Sequence, residues 1–113
     1  MKKTPLASLE RQYERLRQSL TRIGYISQGS VLDRSTLKSP RRGYQWTRKT
    51  ARKTVTVALS VEQFEALAKA VRNRRSLAKT IAQMEKISRQ ILFGSLPDTR
   101  RRKRLSRKVL GLN

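Results

Sequence analysis

Along the first part of the chain, Leu6, Leu9, Tyr13, Leu16, Leu20 and Ile23 recur at alternating steps of three and four. That spacing lines one narrow stripe of a helix or a coiled-coil seam. It predicts a helix over residues 4–23, with Thr4 as cap, Pro5 in the first helical position where a missing N–H costs nothing, and Gly24 as the left-handed residue that ends it. From residue 29 the period changes. Ser, Pro and Gly breakers surround short apolar pairs in "GSVLDRSTLKSPRRG", which predicts one short strand and a loop. Residues 44–50 and 54–59 then alternate as strands do. Tyr44 and Trp46 share one face, which Val55, Val57 and Leu59 join if the hairpin register suits, and Gln45, Thr47, Lys49, Thr54, Thr56 and Ala58 line the other. Ser60 with Gln63 three residues later is a capping-box arrangement, and it starts a second helix with Glu62 near its positive end.

No proline interrupts that second helix through residue 93, but its apolar stripe changes phase. Phe64, Leu67, Ala68 and Val71 form one patch. Leu77, Ile81, Met84, Ile87 and Ile91 form another, and the polar "RNRRS" of residues 72–76 lies between them. The first patch is expected to cover the sheet and the second to pack antiparallel against the first helix, with a kink near Arg72. The expected fold is therefore α+β. Two long antiparallel helices (4–23 and 61–93) and a two- or three-stranded antiparallel β-hairpin sheet between them (29–59) make one domain over residues 1–93. Residues 94–113 follow as a basic, disordered tail, because "TRRRKRLSRK" is too charged to pack.

Composition turns this architecture toward a partner. The chain has 113 residues, 36% of them hydrophobic, and 28 Lys and Arg against 7 Asp and Glu give a formal charge of +21. Such an excess repels itself unless a polyanion neutralises it. Nucleic acid is favoured over a membrane, since the basic residues are spread over every segment without a strongly apolar face beside them. The opening "MKKTPLASL" imitates the charged part of a signal peptide, but "ERQYERLR" stands where an apolar run would be needed. The expected location is the cytoplasm, in association with the nucleoid.

Enzymatic chemistry is read by subtraction. With no Cys and no His there is no Ser-His or Cys-His nucleophile system and no thiolate metal site, and no glycine-rich phosphate loop is present. Asp33, Glu62, Glu65 and Glu85 are too scattered to hold a divalent ion. No enzyme, metal or cofactor is expected. A two-stranded ribbon fits the major groove of B-DNA, so Gln45, Thr47 and Lys49 with Thr54 and Thr56 can face base edges. Arg41, Arg42, Arg48, Arg52 and Lys53 are then placed to grip phosphates. Arg72, Arg74 and Arg75 can extend that track, and Arg100, Arg101, Arg102, Lys103 and Arg104 can add contacts from the tail. Trp46, the only tryptophan, reads as a buried anchor against Phe64 and Leu67 in preference to a base-stacking ring.

"GSVLDRSTL", "GYQWTRKTARKTVTVALSVEQFEAL" and "VRNRRSLAKTIAQMEKIS" resemble an uncharacterised family of small bacterial proteins often encoded near transposases, over roughly residues 24–93. That family's pattern is a Gly-Ser-Leu opening, a hairpin with a Gly-Lys turn and a long helix. Many relatives carry cysteines before the hairpin that look zinc-binding. Here no cysteine lies between Asp33 and Tyr44, and Arg52 stands where the turn glycine is expected, so no metal role carries over. The run Trp46-Thr47-Arg48-Lys49, followed by Leu59-Ser60-Val61-Glu62 and a helix, is also similar to the arm-type DNA-binding domain of tyrosine recombinases. The resemblance implies a sheet whose open face enters the major groove.

The expectation is a non-enzymatic DNA-binding protein, accessory or regulatory to a mobile genetic element, with duplex DNA favoured over RNA and a transposase or recombinase as a candidate partner. A structural RNA-binding or ribosome-associated protein is the alternative. A further one is a coiled-coil interaction module, in which the helix 1 seam pairs with another protein or a second copy.

Overall fold

The computed structural model describes residues 4–100 and 102–113. Arg101, one of the tail candidates, lies outside the described residues. The chain is α+β: α1 (Leu6–Ser19), a 3-10 turn (Leu20–Arg22), β1 (Ser30–Asp33), a second 3-10 turn (Arg34–Thr36), β2 (Tyr44–Thr50), β3 (Lys53–Leu59) and α2 (Val61–Ser95). The strands form one antiparallel sheet in the order β1-β2-β3, so the sheet has three strands and lies between the helices in sequence order. Packing divides the chain into two compact units. One is Ile23–Leu77, and the other joins the residues up to Arg22 with Ala78–Asn113.

In the first unit, α2 begins as its sequence predicts. Gln63 N–H donates to Ser60 Oγ at 3.1 Å and Ser60 N–H donates to Gln63 Oε1 at 3.0 Å, a reciprocal capping box that satisfies two otherwise unpaired donors. From there α2 is unbroken through Arg72 to Ser95. Phe64 stacks on Tyr44 with ring centroids 4.4 Å apart, which fixes the α2 side of the sheet. Ala70 and Val71 are buried. The segment before β1 lies against them, with Ser27 N–H donating to the Ala70 carbonyl at 3.2 Å. Gly29 has φ +99°, and a side chain there would come within 2.5 Å of Trp46 Nε1. The glycine lets β1 start where the indole N–H reaches the Gln28 carbonyl at 3.0 Å.

The β2–β3 turn is the strained point of this unit. Thr50 pairs with Lys53, and the two residues between them, Ala51 and Arg52, have φ of 49° and 68°. Positive φ at both central positions marks a type I′ hairpin turn, which Asn-Gly occupies best. An L-residue other than glycine costs about 1–2 kcal/mol in that region. The Ala51→Asn/Arg52→Gly double variant should therefore melt about 4–8 °C higher for each kcal/mol relieved. The fluorescence of Trp46 in β2 reports that transition, and an unchanged or lowered midpoint would contradict the turn geometry.

In the second unit α1 is shorter than the helix predicted over 4–23. Pro5, at φ −59° and ψ 144°, is itself the N-cap with no side-chain cap bond, and its carbonyl accepts from Ser8 N–H at 3.0 Å and Leu9 N–H at 3.1 Å. Thr4 is therefore not the cap. Gly24 is not among the residues at positive φ, so it does not end the helix. The last turn tightens to 3-10 geometry, and Ser19 and Thr21 hydroxyls return to the Leu16 and Gln18 carbonyls at 2.6 and 2.7 Å, occupying acceptors a helix end leaves open. Leu9 on α1 and Ile87 on α2 are buried. They border an open groove of about 510 Å³ with Gln12, Leu16, Gln83 and Gln90.

The expected disordered tail is in part folded. Leu110, Gly111 and Leu112 N–H groups bond back to Ser106, Lys108 and Arg107 carbonyls at 3.1, 3.2 and 2.9 Å. Arg89 Nε and Gln90 Nε2 on α2 donate to the Gly111 and Leu112 carbonyls at 2.8 and 3.2 Å. Gly111 has φ +69°, and a Cβ there would lie 2.6 Å from Arg89 Nε. The charge count hid this contact because the docking runs through backbone carbonyls of the uncharged "LGLN" end.

Candidate nucleic-acid interface

Strand register sorts the sheet's side chains into two faces, because residues directly opposite each other point the same way. Trp46 pairs with Val31 and Val57, Tyr44 with Asp33 and Leu59, and Arg48 with Val55. These residues make the face on which Phe64 of α2 stacks. Gln45 pairs with Leu32 and Ala58, Thr47 with Ser30 and Thr56, and Lys49 with Thr54. This second face has the polar set read from the alternation. Lys49, Thr54, Thr56 and Ala58 are exposed and Gln45 and Thr47 half-buried. The Thr47 and Thr56 hydroxyls sit 3.4 Å apart, so the two threonines support each other across the strands.

Arg34 adds a cation that the sequence reading did not single out. Its Nε donates to Gln45 Oε1 at 3.2 Å, which carries the guanidinium onto the polar face and orients the Gln45 amide. The signal was available: Arg34 follows Leu32 by two residues, and that spacing continues one face of β1. Asp33 is the only carboxylate between Gly24 and Val61. Its Oδ1 accepts from Ser35 N–H at 2.9 Å and Ser35 Oγ–H at 2.7 Å, and these bonds hold the carboxyl below its usual range. It belongs to the other face, opposite Tyr44, so the polar face carries positive charge without a carboxylate.

Two assignments change. Arg48, expected with Arg52 and Lys53 as a phosphate gripper, lies on the aromatic face. Its guanidinium sits 5.1 Å from the Trp46 ring centroid, Nη1 donates to Thr50 Oγ1 at 2.6 Å, and Nε is buried without a partner. A cation held over an indole face is committed to the fold. Trp46 is half-buried rather than enclosed, tied by its N–H to Gln28, and the ring that stacks on Phe64 is Tyr44. Periodicity gave the shared face of Tyr44 and Trp46 but could not say which of them lies under the helix.

The remaining candidates fall into separate groups. Lys49, Arg52 and Lys53 are exposed at or beside the turn, and Arg41 and Arg42 are exposed in the loop before β2. Arg72, Arg74 and Arg75 are exposed on α2, while Asn73 between them donates to the Tyr25 carbonyl at 2.9 Å. In the tail Arg100, Lys103 and Arg104 are exposed. Arg102 is instead engaged, paired with Asp98 and 5.6 Å from the Phe93 ring centroid.

Among the described residues no group of His, Cys, Asp and Glu could hold a metal ion, and no helix is long and apolar enough to cross a membrane. Chemically the polar face offers amide and hydroxyl groups that both donate and accept, with cations around them. These are the groups that read base edges and contact phosphates. No family model, no curated protein and no solved structure matches the chain.

Proposed function

We propose that this protein binds duplex DNA without catalysing a reaction, laying the polar face of its three-stranded sheet in the major groove while the turn and flanking loop contact phosphates. The observation that carries the reading is that face itself: Gln45, Thr47, Lys49, Thr54 and Thr56 in register, joined by Arg34, on the side of the sheet away from Phe64. A sheet needs one covered face to be stable; an open face of amides, hydroxyls and cations is suited to a charged, hydrogen-bonding surface. Arg72, Arg74, Arg75 and the tail residues Arg100, Lys103 and Arg104 add phosphate contacts in this reading. In the other unit, α1 and the second half of α2 act as an antiparallel helix pair, a reading supported by the groove that Leu9, Leu16 and Ile87 border together. The work suited to such a protein is accessory or regulatory to a mobile genetic element, beside a transposase or recombinase and on the nucleoid. That setting rests on the sequence resemblances alone.

Competition separates DNA from RNA. Unlabelled duplex DNA should displace a labelled duplex at lower concentration than a structured RNA of equal length, because the deep, narrow major groove of an RNA helix does not admit a ribbon. Displacement by RNA at the lower concentration would transfer the function to RNA binding.

A further inference from the structure

We infer that Tyr25 is a stacking platform for an unpaired base, so that the preferred target is duplex DNA interrupted by an unpaired nucleotide; this rests on the DNA-binding reading above. Tyr25 is 92% exposed and Ile26 beside it 50% exposed. Among the described residues the ring is left in solvent, in a chain with only six aromatic residues. The main chain carrying it, however, is fixed. The Tyr25 carbonyl accepts from Asn73 Nδ2 at 2.9 Å, Ser27 N–H donates to the Ala70 carbonyl at 3.2 Å, and the Gln28 carbonyl receives the Trp46 N–H at 3.0 Å. Gly24 approaches the same amide, since a Cβ there would meet Asn73 Nδ2 at 3.4 Å. Three hydrogen bonds within four residues hold the backbone and leave the ring in solvent. An aromatic with few rotamers on a fixed backbone loses little freedom on binding.

The surroundings say what such a ring would meet. Asn73 is the one uncharged residue of "RNRR", and by bonding Tyr25 it brings this loop to the helix turn that carries Arg72 and Arg74. Lys69, Arg72, Arg74 and Arg75 are exposed, and between Glu65 and Glu85 there are five basic and no acidic residues. An exposed aromatic among cations is the arrangement that takes single-stranded nucleic acid, with the ring on a base and the cations on its phosphates. A lipid surface would ask for a broader apolar face than one Tyr-Ile pair. Within an intact duplex each base is already stacked on both sides and offers the ring no face, so the occupant is an unpaired base.

The test uses the full chain and two labelled duplexes of equal length, one fully paired and one with a short central bulge that includes 2-aminopurine. The wild type should bind the bulged duplex about tenfold more tightly or better, the range that one base–aromatic stack supplies, and should quench the 2-aminopurine. Tyr25→Ala should lose that advantage and the quenching while keeping its affinity for the paired duplex; Tyr25→Phe and Tyr25→Trp should retain both. Equal wild-type affinity for the two duplexes, or a Tyr25→Ala loss that is the same on both, overturns the inference and leaves the DNA-binding reading in place. Wild type that binds neither overturns the two together. Because Tyr25 is 92% exposed, an unchanged melting curve for Tyr25→Ala is the expected folding control.

Discussion

Raising the salt from about 50 to 200 mM will weaken binding to duplex DNA on the order of 10³- to 10⁵-fold, the loss expected of a protein making about 6–10 phosphate contacts. The formal charge of +21 sets the sign of the effect, and the structure supplies enough free cations for its size. Among the described residues two ion pairs are found, Arg17 with Glu14 and Arg102 with Asp98. Lys49, Arg52, Lys53, Arg41, Arg42, Arg72, Arg74, Arg75, Lys103 and Arg104 are all exposed, and none belongs to either pair. Each of them that meets a phosphate releases condensed counterions, and that release weakens as salt rises. Gel-shift titrations at several salt concentrations give the slope. An affinity flat in salt would mean that binding runs through apolar surface, as in the interaction-module alternative. Absence of binding at the lowest salt would remove the nucleic-acid reading altogether.

How much of this was written in the pattern of residues differs from element to element. The Ser60–Gln63 capping box and the strict alternation of β2 and β3 are local signals, and each appears in the structure at the residues that carry it. The two sheet faces followed from period two alone. Pairings between distant segments were less legible. Arg34 reaches Gln45 across eleven residues because β1 is a third strand, and the sequence left two or three strands open. Arg48 was misplaced for a related reason. Four cations around a turn look alike in sequence, while the register puts Arg48 on the Trp46 face and Lys49 on the polar one. The turn itself runs against local preference, since neither Ala51 nor Arg52 favours positive φ. No periodicity reports the tail's return to α2, which depends on Arg89 and Gln90 reaching two backbone carbonyls.

Arg52 holds both a strained backbone conformation and an exposed cation at the hairpin turn. Replacing Lys49, Arg52 and Lys53 together by alanine should lower affinity for duplex DNA about a hundredfold, on the order of 1 kcal/mol for each charged side chain taken off a phosphate, and should reduce the salt slope by about three. Arg11, Arg15 and Arg22 are the matched control: three exposed arginines on α1 and the turn that follows it. Arg17 is left out because Glu14 already holds it at 2.7 Å and raises its pKa above the usual range. Both triple variants remove the same charge, so bulk attraction predicts equal losses, whereas a docking ribbon predicts that the turn set dominates. Arg48 is left out as well, since its position over Trp46 would mix stability into the result. Arg52→Gly alone then separates stability from binding: it relieves an unfavourable backbone conformation, raising the melting temperature, while on the proposed reading it deletes a phosphate contact, lowering affinity and the salt slope by about one. Opposite signs in one variant mean that the arginine sits in the turn for what it touches. If affinity rises with stability, or if the α1 set proves the more damaging, the hairpin is a scaffold and the binding surface lies on the helices.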